Sequence, residues 1–411
     1  MKRGINKLGL GILSFGHMAT DMQTSALSIL IPILYATFSL DYAGAALIVT
    51  LNSITSSVIQ PVFGLISDKR PLRWLLPLGT LLCSAGMVLV VFMPTYWLVL
   101  SVVIVSGLGS AAFHPEGSRN ANYVSGDNKA TGLSFFFVGG NLGFALGPIL
   151  TALLLGLFGK PGIFFMLIPG LLGAVAMWFM LPTYAEAGKQ AQSLRAKAKA
   201  TASPLPRRSL AKNLAILLSI ISIRSMLQTG LVTFIPLYFI AINPNLKDYA
   251  AFLLSVFLLC GAVGTIAGGW AADKIGRKTV MVGSLIVVTP LLFLFLNSSG
   301  IVQVLAIGLA GGTLIAASSL TVVMAQETLP NSIGLASGLT LGLGFGAGGL
   351  GAALLGAIAD WIGLPNTMII IALLPLPVVV FSLIMPNTRE KVEPTPVQLE
   401  SASPQTELAK A

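Results

Sequence analysis

Runs of about twenty apolar residues recur from one end of this chain to the other, and that is the length an α-helix needs to cross the hydrocarbon of a bilayer. No strand-like alternation suggests a barrel, and inside lipid only helices or closed barrels satisfy their own backbone groups. Only 9% of the residues are charged, where a soluble chain carries about a quarter, and the mean hydropathy is +0.89. The expected class is an all-α membrane protein with twelve spans: 8–37, 43–66, 74–93, 97–122, 131–157, 161–182, 212–240, 248–271, 279–297, 300–325, 333–359 and 366–386. The first segment is too long and too polar for a cleaved signal peptide, so it is expected to be retained. Cys83 and Cys260 sit in apolar segments with no metal-ligand spacing, so neither a disulfide nor a metal site is expected.

The net charge of +10 could suggest nucleic acid, but its distribution points elsewhere. Lys and Arg fall before the first span, after the second, between the fourth and fifth, along the central loop and after the eighth. The opposite side holds only Lys160 and Lys247. By the positive-inside rule both termini and the central loop are cytoplasmic, in a multi-pass protein of the cell's inner (plasma) membrane. The chain also repeats itself. Gly64-Leu65-Ile66-Ser67-Asp68-Lys69 returns as Gly269-Trp270-Ala271-Ala272-Asp273-Lys274, Ile31-Pro32 as Ile235-Pro236, and Ala130-Thr131-Gly132-Leu133 as Ala336-Ser337-Gly338-Leu339, at a shared offset of about half the chain. The expected organisation is a six-helix half over 1–182, a cytoplasmic linker over 183–211, a second six-helix half over 212–386 and a cytoplasmic tail over 387–411. Two pseudo-symmetric halves with a site between them are the plan of the major facilitator transporters.

Ionisable residues at bilayer depth are costly, and each is a functional candidate. Phe113-His114-Pro115-Glu116-Gly117-Ser118-Arg119 puts an imidazole, a carboxylate and a guanidinium close together. If the helix continues through Pro115, Glu116 and Arg119 share a face and neutralise each other; the alternative is an ion pair in a solvated loop. His17 and Asp21 share a face in the first span, about 15 and 21 Å in from Lys7, with Gln23 beside them. A carboxylate there suits a proton carrier, or a permanent structural hydrogen bond. Arg224 lies about 18 Å beyond Lys212 with Gln228 one turn on, and its own span holds no acid. Its partner is expected to be an anionic ligand, or else Asp21 across the pseudo-twofold. Proton coupling is accordingly assigned to Asp21, Glu116, His17 and His114. Substrate contact is assigned to Arg119, Arg224, Gln23, Gln228, Asn141 and Tyr238. Protonation of Glu116 would release Arg119 to the anion.

Gly269, Asp273, Lys274, Gly276, Arg277 and Lys278 complete a pattern that resembles the loop motif of the major facilitator superfamily. The first copy, Gly64, Asp68 and Lys69, lacks the glycine-basic-basic ending because Arg70-Pro71-Leu72-Arg73 stands there. Both are expected to gate the cytoplasmic side, each Asp meeting a helix N-terminus or an Arg. Gly143-x-x-x-Gly147-Pro148 is similar to the superfamily's exporter motif, although Thr151 and Ala152 replace its closing glycines. Together with Ser56-Ser57-Val58-Ile59-Gln60-Pro61, Val138-Gly139-Gly140-Asn141, His17-x-x-x-Asp21 and the His114–Arg119 cluster, these pieces resemble the fosmidomycin resistance proteins. That resemblance implies proton-driven antiport of a small anionic phosphonate antibiotic, with export by alternating access and no cofactor. Another anionic metabolite, moved in either direction, is the alternative. The expected partners are the solute, protons and the lipid bilayer, with no nucleic acid and a monomeric state. A membrane enzyme would need a nucleophile or acidic metal set that is not evident. A sensor would need a signalling domain, and residues 387–411 form only a short polar tail.

Overall fold

The computed structural model describes residues 3–70, 72–201 and 207–385; the proposed tail, 387–411, lies outside them. Among the described residues twelve helices follow one another. They are α1 (Lys7–Thr37), α2 (Ala43–Lys69), α3 (Leu75–Phe92), α4 (Tyr96–Val124), α5 (Lys129–Phe158), α6 (Leu167–Thr201), α7 (Arg207–Ile242), α8 (Lys247–Ile275), α9 (Arg277–Leu296), α10 (Gly300–Thr328), α11 (Ile333–Ile362) and α12 (Leu364–Ile384). Each of these but α1 overlaps one of the 11 segments, among the described residues, that are both long and apolar enough to span a bilayer. α1 has the length at 31 residues, but His17, Thr20, Asp21 and Gln23 interrupt its apolar run, and all four are buried. The large apolar side chains Phe179, Leu259 and Leu350 point outward instead, as they do where lipid is the solvent.

Local chemistry explains the irregularities. α1 begins where the Asn6 side chain accepts from the Gly9 N–H, and α4 begins on Thr95 in the same way. α2 passes through a π turn at Ile54–Val58, one turn before Pro61, whose missing N–H forces the backbone to rearrange. α4, by contrast, continues through Pro115, so the His114–Arg119 cluster lies on a buried helix and not in a solvated loop. Where a linker is expected from residue 183, α6 continues as helix to Thr201. The Ala, Lys, Gln and Leu there lose apolarity but keep high helix propensity, so the composition shift does not end the helix. Tyr184, just past the expected boundary, is buried and donates to the Gly9 carbonyl at 3.0 Å, tying α6 back to α1.

The two six-helix halves meet at the end that carries Lys69, Arg70, Lys274 and Lys278, called here the basic end. α2 crosses α11 and α5 crosses α8, and both crossings depend on glycine. A Cβ on Gly64 would run into the Gly334 carbonyl, and one on Gly269 into the Ser134 hydroxyl.

Candidate functional site

Three helices of the first half converge on one carboxylate. Asp21 Oδ2 lies 3.2 Å from His17 Nε2 and Oδ1 lies 3.0 Å from His114 Nε2. His17 Nδ1 is 2.8 Å from the Phe136 carbonyl of α5, and His114 Nδ1 is 2.8 Å from the Ser110 carbonyl one turn back on α4. A carbonyl can only accept, so both Nδ1 atoms carry hydrogen. The two Nε2 atoms therefore face Asp21 with lone pairs unless protons lie between. Four short contacts ask for four hydrogens, and two neutral imidazoles with a carboxylate bring only two. The triad thus has room for one or two more protons, taking its charge from −1 to +1. His17 is held between the stacked Phe136 ring, 4.2 Å away, and Phe113 at 6.0 Å. The three ligand-type atoms lie within 4.8 Å of one another, and the two His–Asp separations are of hydrogen-bond length.

Gly140 is why the triad fits. A Cβ there would stand 2.6 Å from both Asp21 Oδ2 and His17 Nε2, while one on its neighbour Gly139 would strike the Ser14 carbonyl. The glycine pair brings α5 against α1 and leaves room for the imidazole.

Glu116 belongs to a second cluster, nearer the basic end. Arg119 Nη2 donates to both of its carboxylate oxygens, at 2.7 and 2.6 Å, and Asn120 donates to Oε1 at 2.8 Å. Ser67 of α2 donates to the other oxygen. Arg119 Nη1 is given to the Ser67 carbonyl at 2.5 Å and lies 3.7 Å from Asp68. Asp68 in turn accepts from the backbone N–H groups of Gly334 and Leu335, both at 2.8 Å, at the start of α11. The second copy has the same form: Asp273 accepts from Ala130 N at 3.2 Å and Thr131 N at 2.8 Å at the start of α5. Helix N-termini present free N–H groups and positive potential, so a carboxylate suits both positions. Arg277 adds ion pairs to Asp273 at 3.8 Å and Glu327 at 3.0 Å. Between the two crossings, Gln326 of α10 accepts from Asn122 at 2.6 Å and donates to Ser118 at 3.1 Å.

In the second half the deep cation stands differently. Arg224 is buried, and its Nη1 donates to Gln228 at 3.0 Å and to Ser318 of α10 at 2.6 Å. Its Nε has no hydrogen-bond partner, and among the described residues no carboxylate lies within ion-pair distance. A guanidinium held only by neutral groups out of water is electrostatically unfinished.

The model of the Major Facilitator Superfamily matches residues 13–249 and again 245–410. This chain belongs to that superfamily. It is 35% identical over 387 residues, 93% of each chain, to the fosmidomycin resistance protein of Escherichia coli K12. It is also 34% identical to an uncharacterized MFS-type transporter of Bacillus subtilis, YfnC, covering 89% of this chain and 90% of that one. Among solved structures, the E. coli fucose:proton symporter superposes with a TM-score of 0.70 at 13% identity, over 92% of this chain and 98% of its own. The human organic anion transporter TETRAN gives 0.69 at 15%, over 92% and 99%. The fold and the multi-pass membrane class expected from the sequence are therefore confirmed, and the protein is a fosmidomycin-resistance-type major facilitator transporter and no enzyme.

Within this transporter the remaining candidates fall in several places. Gln23 is buried and donates to the Met166 carbonyl at 2.6 Å, with its Oε1 unpaired. Asn141 is exposed on α5. Tyr238 packs edge-on against Phe239 at 5.4 Å and lies about 21 Å along α7 from Arg224, at 1.5 Å per residue, so the two do not meet. Lys69 is exposed, Lys274 lies 3.6 Å over the Trp270 ring, and Lys278 donates to the Leu383 carbonyl at 2.7 Å near the end of α12. Gly276 has φ +100°, a turn open to glycine. Sequence reasoning missed Ser67, Ser110, Ser318 and the Phe136 carbonyl as site groups. Ser110, four residues before His114, was the one with a readable signal.

Proposed function

We infer that this transporter exchanges protons for a small organic anion, of which the phosphonate fosmidomycin is the reference member, and exports it by alternating access. The observation that carries this reading is the His17–Asp21–His114 triad, whose four short contacts exceed its neutral proton supply. A cation-coupled carrier needs such a group, one that gains and loses protons without losing its hydrogen bonds. Arg224 supports the anionic substrate, because its planar guanidinium stays charged when buried and lacks an acidic partner. The E. coli relative is named for resistance to fosmidomycin, which supports both the compound class and the outward direction. The positive-inside bias supports a cytoplasmic basic end, with both termini on that side of the inner membrane. Asp68 and Asp273 then act as two equivalent latches of the cytoplasmic gate, with Glu116 and Arg119 the brace behind the first.

In this cycle protonation of the triad and loading of the anion belong to different halves. They communicate through α11, where Phe345 stands 6.1 Å edge-on from His114 and Gly344 lies beside Ser225, the neighbour of Arg224. The test is transport into proteoliposomes under an imposed pH gradient, with phosphonates, sugar phosphates and carboxylates in competition. Gradient-driven movement of an anion, with phosphonates the strongest competitors, is expected. A preferred neutral or cationic substrate, or indifference to the gradient, would overturn the reading.

A further inference from the structure

Lys7 and the first three turns of α1 form one wall of a groove whose other wall is α5. Its volume is about 490 Å³, within the roughly 300–1,000 Å³ of ligand sites, and its lining is almost wholly apolar: Leu10, Gly11, Met18, Phe135 and Leu142. Phe135 and Leu142 are exposed, so the groove opens on the outer, lipid-facing surface of the first half. On its floor the Ser14 hydroxyl donates to the Phe135 carbonyl at 2.9 Å. The one charge on its rim, among the described residues, is Lys7. Among the described residues Lys7 has no acidic partner, whereas the neighbouring Arg3 is committed to Asp127 at 3.7 Å.

The dimensions identify what fits. From Lys7 to Met18 the groove follows α1 for about 16 Å at 1.5 Å per residue, and one leaflet's hydrocarbon is about 15 Å deep. We propose that this groove is a binding site for an anionic phospholipid, with the headgroup phosphate on Lys7 and one acyl chain lying between α1 and α5 down to Met18. A free phosphate would leave the apolar walls bare, and a zwitterionic lipid would gain less from the unpartnered ammonium. The bound chain would brace the same helix pair whose opposite side holds His17 against the Phe136 carbonyl.

Gly11 provides a clean test, since nothing lies within 4 Å of a Cβ built there and a bulky side chain enters the groove without disturbing the core. Native mass spectrometry of the full-length protein, titrated with phosphatidylglycerol or phosphatidylcholine, reads the site. The wild type is expected to hold one phosphatidylglycerol about fivefold more tightly than phosphatidylcholine, the preference one Lys near the headgroups supplies. Lys7→Gln should bring the two lipids level, Lys189→Gln should leave the preference intact, and Gly11→Phe should lose the tightly held lipid at unchanged melting temperature. Equal retention of both lipids by the wild type would overturn the proposal. So would a preference that survives Lys7→Gln, or a lipid that stays bound to folded Gly11→Phe.

Discussion

Two of the buried arginines of this bundle, Arg119 and Arg224, occupy opposite electrostatic situations. Arg119 in the first half faces Glu116, Asp68 and the Ser67 carbonyl, so its charge is answered by carboxylates, although its Nε, like that of Arg224, has no hydrogen-bond partner. Arg224 in the second half is answered by two neutral groups, Gln228 and Ser318. A satisfied buried ion pair fixes structure, and breaking it leaves its partner stranded. A buried charge left unanswered instead keeps part of its interaction free energy for a ligand. On the proposed function, we read the contrast as Arg119 serving the gate and Arg224 the anion.

The largest expected effect is on stability. Arg119→Met strands Glu116 and Asp68 and should cost about 3–5 kcal/mol, read as a lowered melting temperature in detergent. Arg224→Met strands no charge, only the neutral Gln228 and Ser318, and should melt near the wild-type temperature while anion affinity falls about 10–100-fold, the worth of hydrogen bonds to a charged group. Equal destabilisation by the two would break the comparison. Arg224→Lys sharpens it, since the charge stays but paired donation by a planar fork is lost, and affinity should fall between the other two. Gly140→Ala should leave the gate and the anion site intact yet remove proton coupling, because the new Cβ displaces the Asp21–His17 contact. The smallest effect concerns the latches. Asp68→Asn and Asp273→Asn should each weaken closure by about 1–2 kcal/mol and raise cysteine accessibility at the basic end several-fold, without abolishing transport.

Much of this was legible in one dimension. The spans were readable because twenty apolar residues at 1.5 Å each match a bilayer, and the i,i+4 spacing already put His17 and Asp21 on one face. The repeat of Gly64–Lys69 at Gly269–Lys274 foretold two related halves. What was not legible came from across the bundle. His114 joins Asp21 from another helix, and nothing in one dimension marks Gly140 as the position whose missing side chain leaves room for His17. His114 and Glu116, neighbours in the sequence, belong to different clusters in the fold. Two residues apart on a helix point about 200° apart, so one faces α1 and the other α2. Continuity of α6 past residue 183 was hidden by composition, which records where a chain leaves lipid but not where its helix ends.

The central claim is that Asp21 carries the coupled proton while the anion is bound elsewhere. Proteoliposomes containing Asp21→Asn separate the two functions, because the amide keeps a hydrogen-bonding group but cannot cycle a proton. Exchange of labelled for unlabelled anion at equal pH should continue within a few-fold of wild type, while accumulation driven by a pH gradient should vanish. Gradient-driven accumulation that persists in Asp21→Asn would contradict the account.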